Sequence, residues 1–73
     1  MNVKKIKNDQ YIVSDGNLEL TQTIISGIRF NSCVVKHSGY TEEKSSFDPI
    51  FHDLFIALHN FKLKLWQEQK LEI

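Results

Sequence analysis

The chain has 73 residues, and its nine basic and nine acidic side chains give a formal net charge of zero. This length predicts a single domain, 1-73, with a core that by itself leaves only about 3 to 5 kcal/mol of stability. The balanced charge argues against a broadly cationic nucleic-acid binder, and no run of 18 apolar residues is present to span a membrane.

Small domains often gain extra stability from a disulfide, a metal or a partner subunit. Cys33 is the only cysteine, so no disulfide forms within the chain. Together with His37, His52 and His59 it lacks the paired ligand spacing of zinc sites. By elimination we expect association with another chain, most simply as a homodimer. The N-terminal lysines precede no apolar signal segment, so we expect a cytoplasmic protein with a reduced thiol.

Residues 2 to 37 alternate short apolar stretches with turn residues, which is the pattern of strands. The sequence Ser14-Asp15-Gly16-Asn17 predicts a hairpin turn, because Asp-Gly and Gly-Asn supply positive φ angles. Ser26-Gly27 is either a bulge or a turn, and Asn31-Ser32 indicates a further turn. We therefore expect an α+β fold, in which 1-37 form a three- or four-stranded antiparallel β-meander.

A long C-terminal α-helix is expected to pack on this sheet. The polar residues 38-46 predict a loop. Asp48 followed by Pro49 is typical of a helix N-cap with proline at the first helical position. No further proline or glycine follows, so the predicted helix covers 47-67 and leaves a tail, 68-73.

The helix has an apolar face suited to packing on a sheet. At 100° per residue, seven side chains form an arc about 120° wide. These residues are Ile50, Phe51, Leu54, Ala57, Leu58, Phe61 and Leu65. In the strand that follows the first hairpin turn, alternation places Leu18, Leu20, Gln22 and Ile24 on the core side.

Large apolar side chains also lie outside this arc. With one histidine they make a ridge of Phe55, Ile56, His59, Leu63 and Trp66. Exposed apolar patches of a few hundred Å² tend to be functional, and aromatic residues are favoured at interface centres. We predict that this ridge binds a protein partner or a second copy of the chain. The alternative is that the loop or the tail covers it.

No motif indicates catalysis. The chain has no Walker-type loop and no glycine-rich phosphate fingerprint. His52 and His59 lie about 10 Å apart along the helix, too far to share one metal ion. Cys33 and His37 lack a third, orienting group. We therefore predict a protein that is not an enzyme, with no catalytic residue, no metal and no cofactor.

Nucleic-acid binding is the alternative function. Strands followed by a helix occur in sheet-reading DNA-binding domains and in double-stranded RNA-binding domains. The basic residues expected to line one face of the sheet are Lys4, Lys5, Lys7, Arg29 and Lys36. Substantial affinity for nucleic acid usually needs about six to ten phosphate contacts, and lysines on an edge strand also serve to block unwanted pairing.

The segment Tyr11-Ile12-Val13-Ser14-Asp15-Gly16-Asn17, the following Leu18-Glu19-Leu20, Gly39-Tyr40 and a closing helix resemble small bacteriophage and other mobile-element accessory proteins. The likeness covers about half of the chain and consists largely of a hairpin turn. It implies a protein that works by binding, as an inhibitor of a host defence protein or host enzyme, or as a regulator. It carries over no functional residue.

Overall fold

A computed structural model describes residues 1–71, with side chains through residue 68. Five strands precede one helix: β1 (Asn2–Lys7), β2 (Gln10–Asp15), β3 (Leu18–Ile25), β4 (Ile28–His37), β5 (Tyr40–Lys44), a 3-10 turn (Pro49–Phe51) and α1 (His52–Leu71). The strands pair antiparallel in chain order. The predicted α+β meander with a C-terminal helix is therefore correct, but the sheet has five strands instead of three or four. In the described residues no helix is long and apolar enough to cross a membrane.

The fifth strand lies in the segment 38-46, so the prediction of a loop there is wrong. β5 pairs with β4 from Cys33↔Lys44 to His37↔Tyr40. Its residues are mostly exposed and include two glutamates, which removes the apolar alternation by which a strand is recognised in sequence. Backbone pairing at the edge of the sheet defines this strand.

The segment Ser26-Gly27 is a turn and not a bulge. Ser26 and Gly27 have φ angles of 52° and 78° and connect the paired residues Ile25 and Ile28. Positive φ at both central positions is what a type I′ hairpin turn requires.

The predicted turn at Asn31-Ser32 does not exist, because both residues continue β4 and pair with Gln22 and Thr21. The Gln22 amide donates a 2.8 Å hydrogen bond to Asn31 Oδ1, so the polar side chains are paired inside the sheet.

The core lies between one face of the sheet and the start of the helix. It consists of Val13, Leu20, Cys33, Val35, Phe51, Leu54 and Leu58. The expected alternation in β3 is confirmed, since Leu20 is fully buried and Gln22 is only 5 % exposed. Ile50 was expected to join the core but is 47 % exposed. It lies in the 3-10 turn before α1, where a period of 100° per residue does not apply.

The beginning of the helical segment agrees with its prediction, and the end does not. Asp48 has extended backbone angles, its side chain accepts a 3.1 Å hydrogen bond from Ile50 N, and Pro49 follows it. Of the predicted tail, 68–71 continue α1, while 72–73 lie outside the described residues.

Candidate functional site

The five residues of the predicted ridge divide between three environments. Ile56 and Leu63 lie seven residues apart on the outward side of α1 and are 45 % and 44 % exposed. We call this pair the crest. Phe55 is half-buried and packs against the core, so it does not belong to an outer ridge. His59 and Trp66 lie on one flank of the helix, where they line cavities that open towards the sheet.

That flank and the facing side of the sheet form a cleft of about 350 Å³. Its lining residues are Lys5, Tyr11, Ile24, Arg29, Lys62, Leu65 and Trp66. A second pocket of about 110 Å³ shares Arg29 and Lys62 and adds Gln22, Phe55, Leu58 and His59. Arg29 thus lines one pocket with His59 and the cleft with Trp66 and Lys5, although the sequence placed these residues in two separate candidate sites.

Strand register explains which basic residues reach the cleft. Lys5 pairs with Tyr11, and Arg29 pairs with Ile24, so these four side chains share the helix side of the sheet. Lys4 follows the alternation to the opposite side, since neighbouring residues of a strand point to opposite faces.

The remaining basic residues of the predicted nucleic-acid surface lie elsewhere. Lys36 forms a 2.8 Å salt bridge with Glu19, its neighbour on the open face. Lys7 pairs with Gln10 beyond an irregularity in the register after Lys5. The five predicted basic residues therefore do not share one face of the sheet.

Lys62 is held in the cleft by two contacts. Its amino group donates a hydrogen bond to Gln22 Oε1 and lies 4.8 Å from the centre of the Tyr11 ring. The amide of Gln22 in turn donates to Asn31. Burial lowers the pKa of Lys62 below its usual range, and the nearby charge of Arg29 lowers it further.

Lys62 is not among the site residues predicted from the sequence, although one signal pointed to such a residue. Gln22 was expected on the core side of β3, and a buried polar side chain is nearly always hydrogen-bonded. Gln22 therefore required polar partners, but the sequence alone does not show that Lys62 of the helix lies above it and is one of them.

The charge of the cleft is positive. Lys5, Arg29 and Lys62 line it, and none of the described residues in its lining carries a carboxylate. Among the side chains that the structure describes, the salt bridges involve other lysines and His37. An anion placed in the cleft would therefore meet three cations that form no salt bridge inside the described part of the protein.

The side chains considered for chemistry are arranged without a catalytic geometry. Cys33 is buried, and burial raises its pKa, which keeps the thiol protonated. His37 stacks on Tyr40 with ring centres 4.5 Å apart, and its Nε2 lies 3.2 Å from Glu42 Oε1. Within the described residues, no three His, Cys, Asp or Glu side chains are grouped as a metal site would require.

The chain matches no protein-family model, no curated protein and no solved structure. A function is therefore inferred from two features of the structure. These are the crest, with its two exposed aliphatic side chains, and the cleft, with its three cations.

Proposed function

We propose that this chain is a non-catalytic protein-interaction module that binds its partner with the outward side of α1. The supporting observation is the exposure of Ile56 and Leu63, at 45 % and 44 %, on a helix whose opposite face already forms the core. Complete burial of an exposed aliphatic side chain of this size contributes about 1.5 to 3 kcal/mol. Since Ile56 and Leu63 still expose a little under half of their surface, a partner that covers the crest gains up to about half of that from each.

In the described part of the chain, neither of the two segments named as the alternative cover of the ridge lies over it. β5 pairs with β4 at one edge of the sheet, whereas α1 contacts β1 and β2 near the other edge. Residues 68–71 extend the helix instead of folding back over it.

A second copy of the chain is one partner that fits the crest. Ile56 and Leu63 are about 10.5 Å apart along the axis, since each residue rises by about 1.5 Å. An antiparallel pair of helices related by a two-fold axis would place Ile56 of one copy against Leu63 of the other, as an isologous interface requires. A homodimer would also add to a core in which the described part of the chain has seven buried apolar residues.

A host protein is the other partner. A phage-type inhibitor or regulator needs only a surface that is complementary to its target, and the crest with Trp66 provides aliphatic and aromatic anchors for one. Such a role fits a cytoplasmic location, because Cys33 is a free and buried thiol.

The experiment compares two single substitutions at exposed aliphatic residues. Leu63→Asp alters the crest, and Ile28→Asp alters a residue that is 60 % exposed at the β3–β4 turn. Sedimentation equilibrium measures self-association, and affinity capture with identification of the bound protein measures a host partner. We expect Leu63→Asp to abolish whichever association wild type shows, and Ile28→Asp to retain it. Equal binding by wild type and Leu63→Asp would exclude the crest as the interface.

Nucleic-acid binding is the second candidate, and the cations of the cleft are the observation in its favour. Lys5, Arg29 and Lys62 line one concave surface beside Trp66. Binding to duplex DNA or RNA that weakens steeply with added salt, and is lost when Lys5 and Arg29 are replaced by alanine, would support it.

A further inference from the structure

The three cations of the cleft are spread along a line across the sheet. Lys5 lies on β1 and Arg29 on β4, three strand spacings apart, which places their backbones at least about 14 Å from each other. The side chain of Lys62 extends from the helix over the ring of Tyr11, and Tyr11 is the strand partner of Lys5. Because their backbones lie this far apart, the three cations suit a ligand with several negative groups in a row better than one small anion.

The middle position is fixed before any ligand arrives. Lys62 is held by Gln22 and by the ring of Tyr11, and Gln22 is held by Asn31. An ammonium group has three donors, so it retains donors for a carboxylate. Because the side chain is already ordered, less conformational entropy is lost on binding.

An extended acidic peptide matches this spacing. Its side chains on one face repeat about every 7 Å, so carboxylates at positions i, i+2 and i+4 span about 13 to 14 Å. Three cations are too few for the six to ten phosphate contacts of a typical nucleic-acid complex, and the chain has no net positive charge to add to them. Trp66 lines the cleft and lies on the same helix as the crest, so one partner can contact both surfaces.

We infer that the cleft binds the carboxylates of an acidic, extended segment of the partner protein, with Lys5, Lys62 and Arg29 as the carboxylate-binding residues. This inference rests on the proposed function, because it assigns the chemistry of the partner that docks on α1.

A direct test uses a nine-residue peptide with glutamate at three alternate positions and serine between them, titrated into the 15N-labelled full chain. We expect shifts of the Gln22 side-chain amide and the Trp66 indole N–H. Lys62→Met and Arg29→Gln should each weaken binding about tenfold, since each removes a charge-assisted hydrogen bond. Lys4→Ala is the matched control, because it removes a neighbouring lysine that points to the open face, and it should leave the affinity unchanged.

Three results would overturn the inference: no shifts at millimolar peptide, equal shifts with a peptide in which glutamine replaces glutamate, or tighter binding of a nine-residue thymidine oligonucleotide at the same residues. Arg29 is exposed, so its variant tests the cleft even where Lys62→Met perturbs folding.

Leu63→Asp separates the two proposals, because it should prevent capture of the partner without weakening the binding of the peptide. If capture is lost but the peptide does not bind wild type, only the inference about the cleft fails. If the peptide binds but Leu63→Asp still captures the partner, the proposed interface fails instead.

Discussion

The amino group of Lys62 lies 4.8 Å from the centre of the Tyr11 ring and also donates a hydrogen bond to Gln22. These contacts connect the second half of α1 to β2 and β3. In the first half of α1, the buried residues Leu54 and Leu58 pack in the core. A cation over an aromatic ring contributes about 0.5 to 2 kcal/mol, depending on desolvation. The helix is therefore anchored by apolar packing near its start and by polar contacts beside the cleft.

The pKa of Lys62 should rise when Arg29 is replaced by glutamine. Burial is the larger cause of the lowered pKa and the charge of Arg29 is the second, so the pKa should increase without reaching that of a free lysine. NMR titration of the Lys62 side-chain carbon next to the amino group measures it. Lys36→Gln removes a cation paired with Glu19 on the other face and should leave the Lys62 pKa unchanged.

The same pKa makes the contribution of Lys62 to stability dependent on pH. A lysine with a lowered pKa binds its proton more weakly in the folded than in the unfolded state. The cost of keeping it charged is fully present below the lowered pKa and disappears as pH rises from that pKa to the ordinary lysine value of about 10.4. Urea denaturation should therefore show wild type gaining stability relative to Lys62→Met over that range, and a constant difference would contradict it.

Two leucines of α1 provide a matched pair for core and surface. Leu54 is 1 % exposed and Leu63 is 44 % exposed. Leu54→Ala should reduce the free energy of unfolding by about 2 to 5 kcal/mol, since it removes buried methyl groups and leaves a cavity. Leu63→Ala should change it by no more than about 0.5 to 1 kcal/mol in the monomer.

Chemical denaturation at low protein concentration measures both leucine variants. A large loss for Leu63→Ala that grows with protein concentration would show instead that the crest is buried in a dimer.

Local pattern was sufficient to predict the helix face and the alternation of β3, because both depend on one repeating period. It failed for β5, whose Glu42 and Glu43 carry no apolar signal, and for Ile50, which lies outside the regular helix. Edge strands are held by backbone pairing, and the pairing partner is not visible in the strand's own residues.

The candidate site was predictable only in part for a related reason. Helical spacing alone identified Ile56 and Leu63 as outward-facing residues. To predict the cleft, two pairings that the sequence does not show would have to be known. One is which strand residue lies beside Lys5, and the other is which helical residue lies above Gln22. Lys62 was missed for this reason, and Arg29 was assigned to the wrong neighbours.

Asp48→Ala should destabilise the protein by about 1 kcal/mol, because Asp48 Oδ1 accepts a hydrogen bond from the backbone N–H of Ile50 at the helix start. Asp48→Ser retains an acceptor and should recover most of the loss. Thermal unfolding followed by circular dichroism measures the three proteins. Equal stability of the alanine variant and wild type would show that the cap does not contribute.

The β4–β5 hairpin contains a carboxylate whose titration reports on its neighbours. A hydrogen bond with His37, and next the hydrogen bond and charge of Lys44, lower the pKa of Glu42 below its usual range. His37→Ala should raise that pKa towards about 4.3, the ordinary glutamate value, while Lys44 keeps it somewhat lower. NMR titration of the Glu42 side-chain carboxyl carbon measures it, and Lys4→Ala should have no effect.

The sign of the linkage gives the pH range in which Glu42 acts on the hairpin. Because its folded-state pKa is lowered, its stabilising contribution is complete above about 4.3 and is lost as pH falls through the lowered value. Amide hydrogen exchange in β5 should therefore accelerate, relative to β3, below that pH in wild type. In His37→Ala the corresponding acceleration should be smaller, because the folded-state pKa of Glu42 lies closer to its unfolded value. An acceleration of equal size would show that the His37 contact does not stabilise the hairpin.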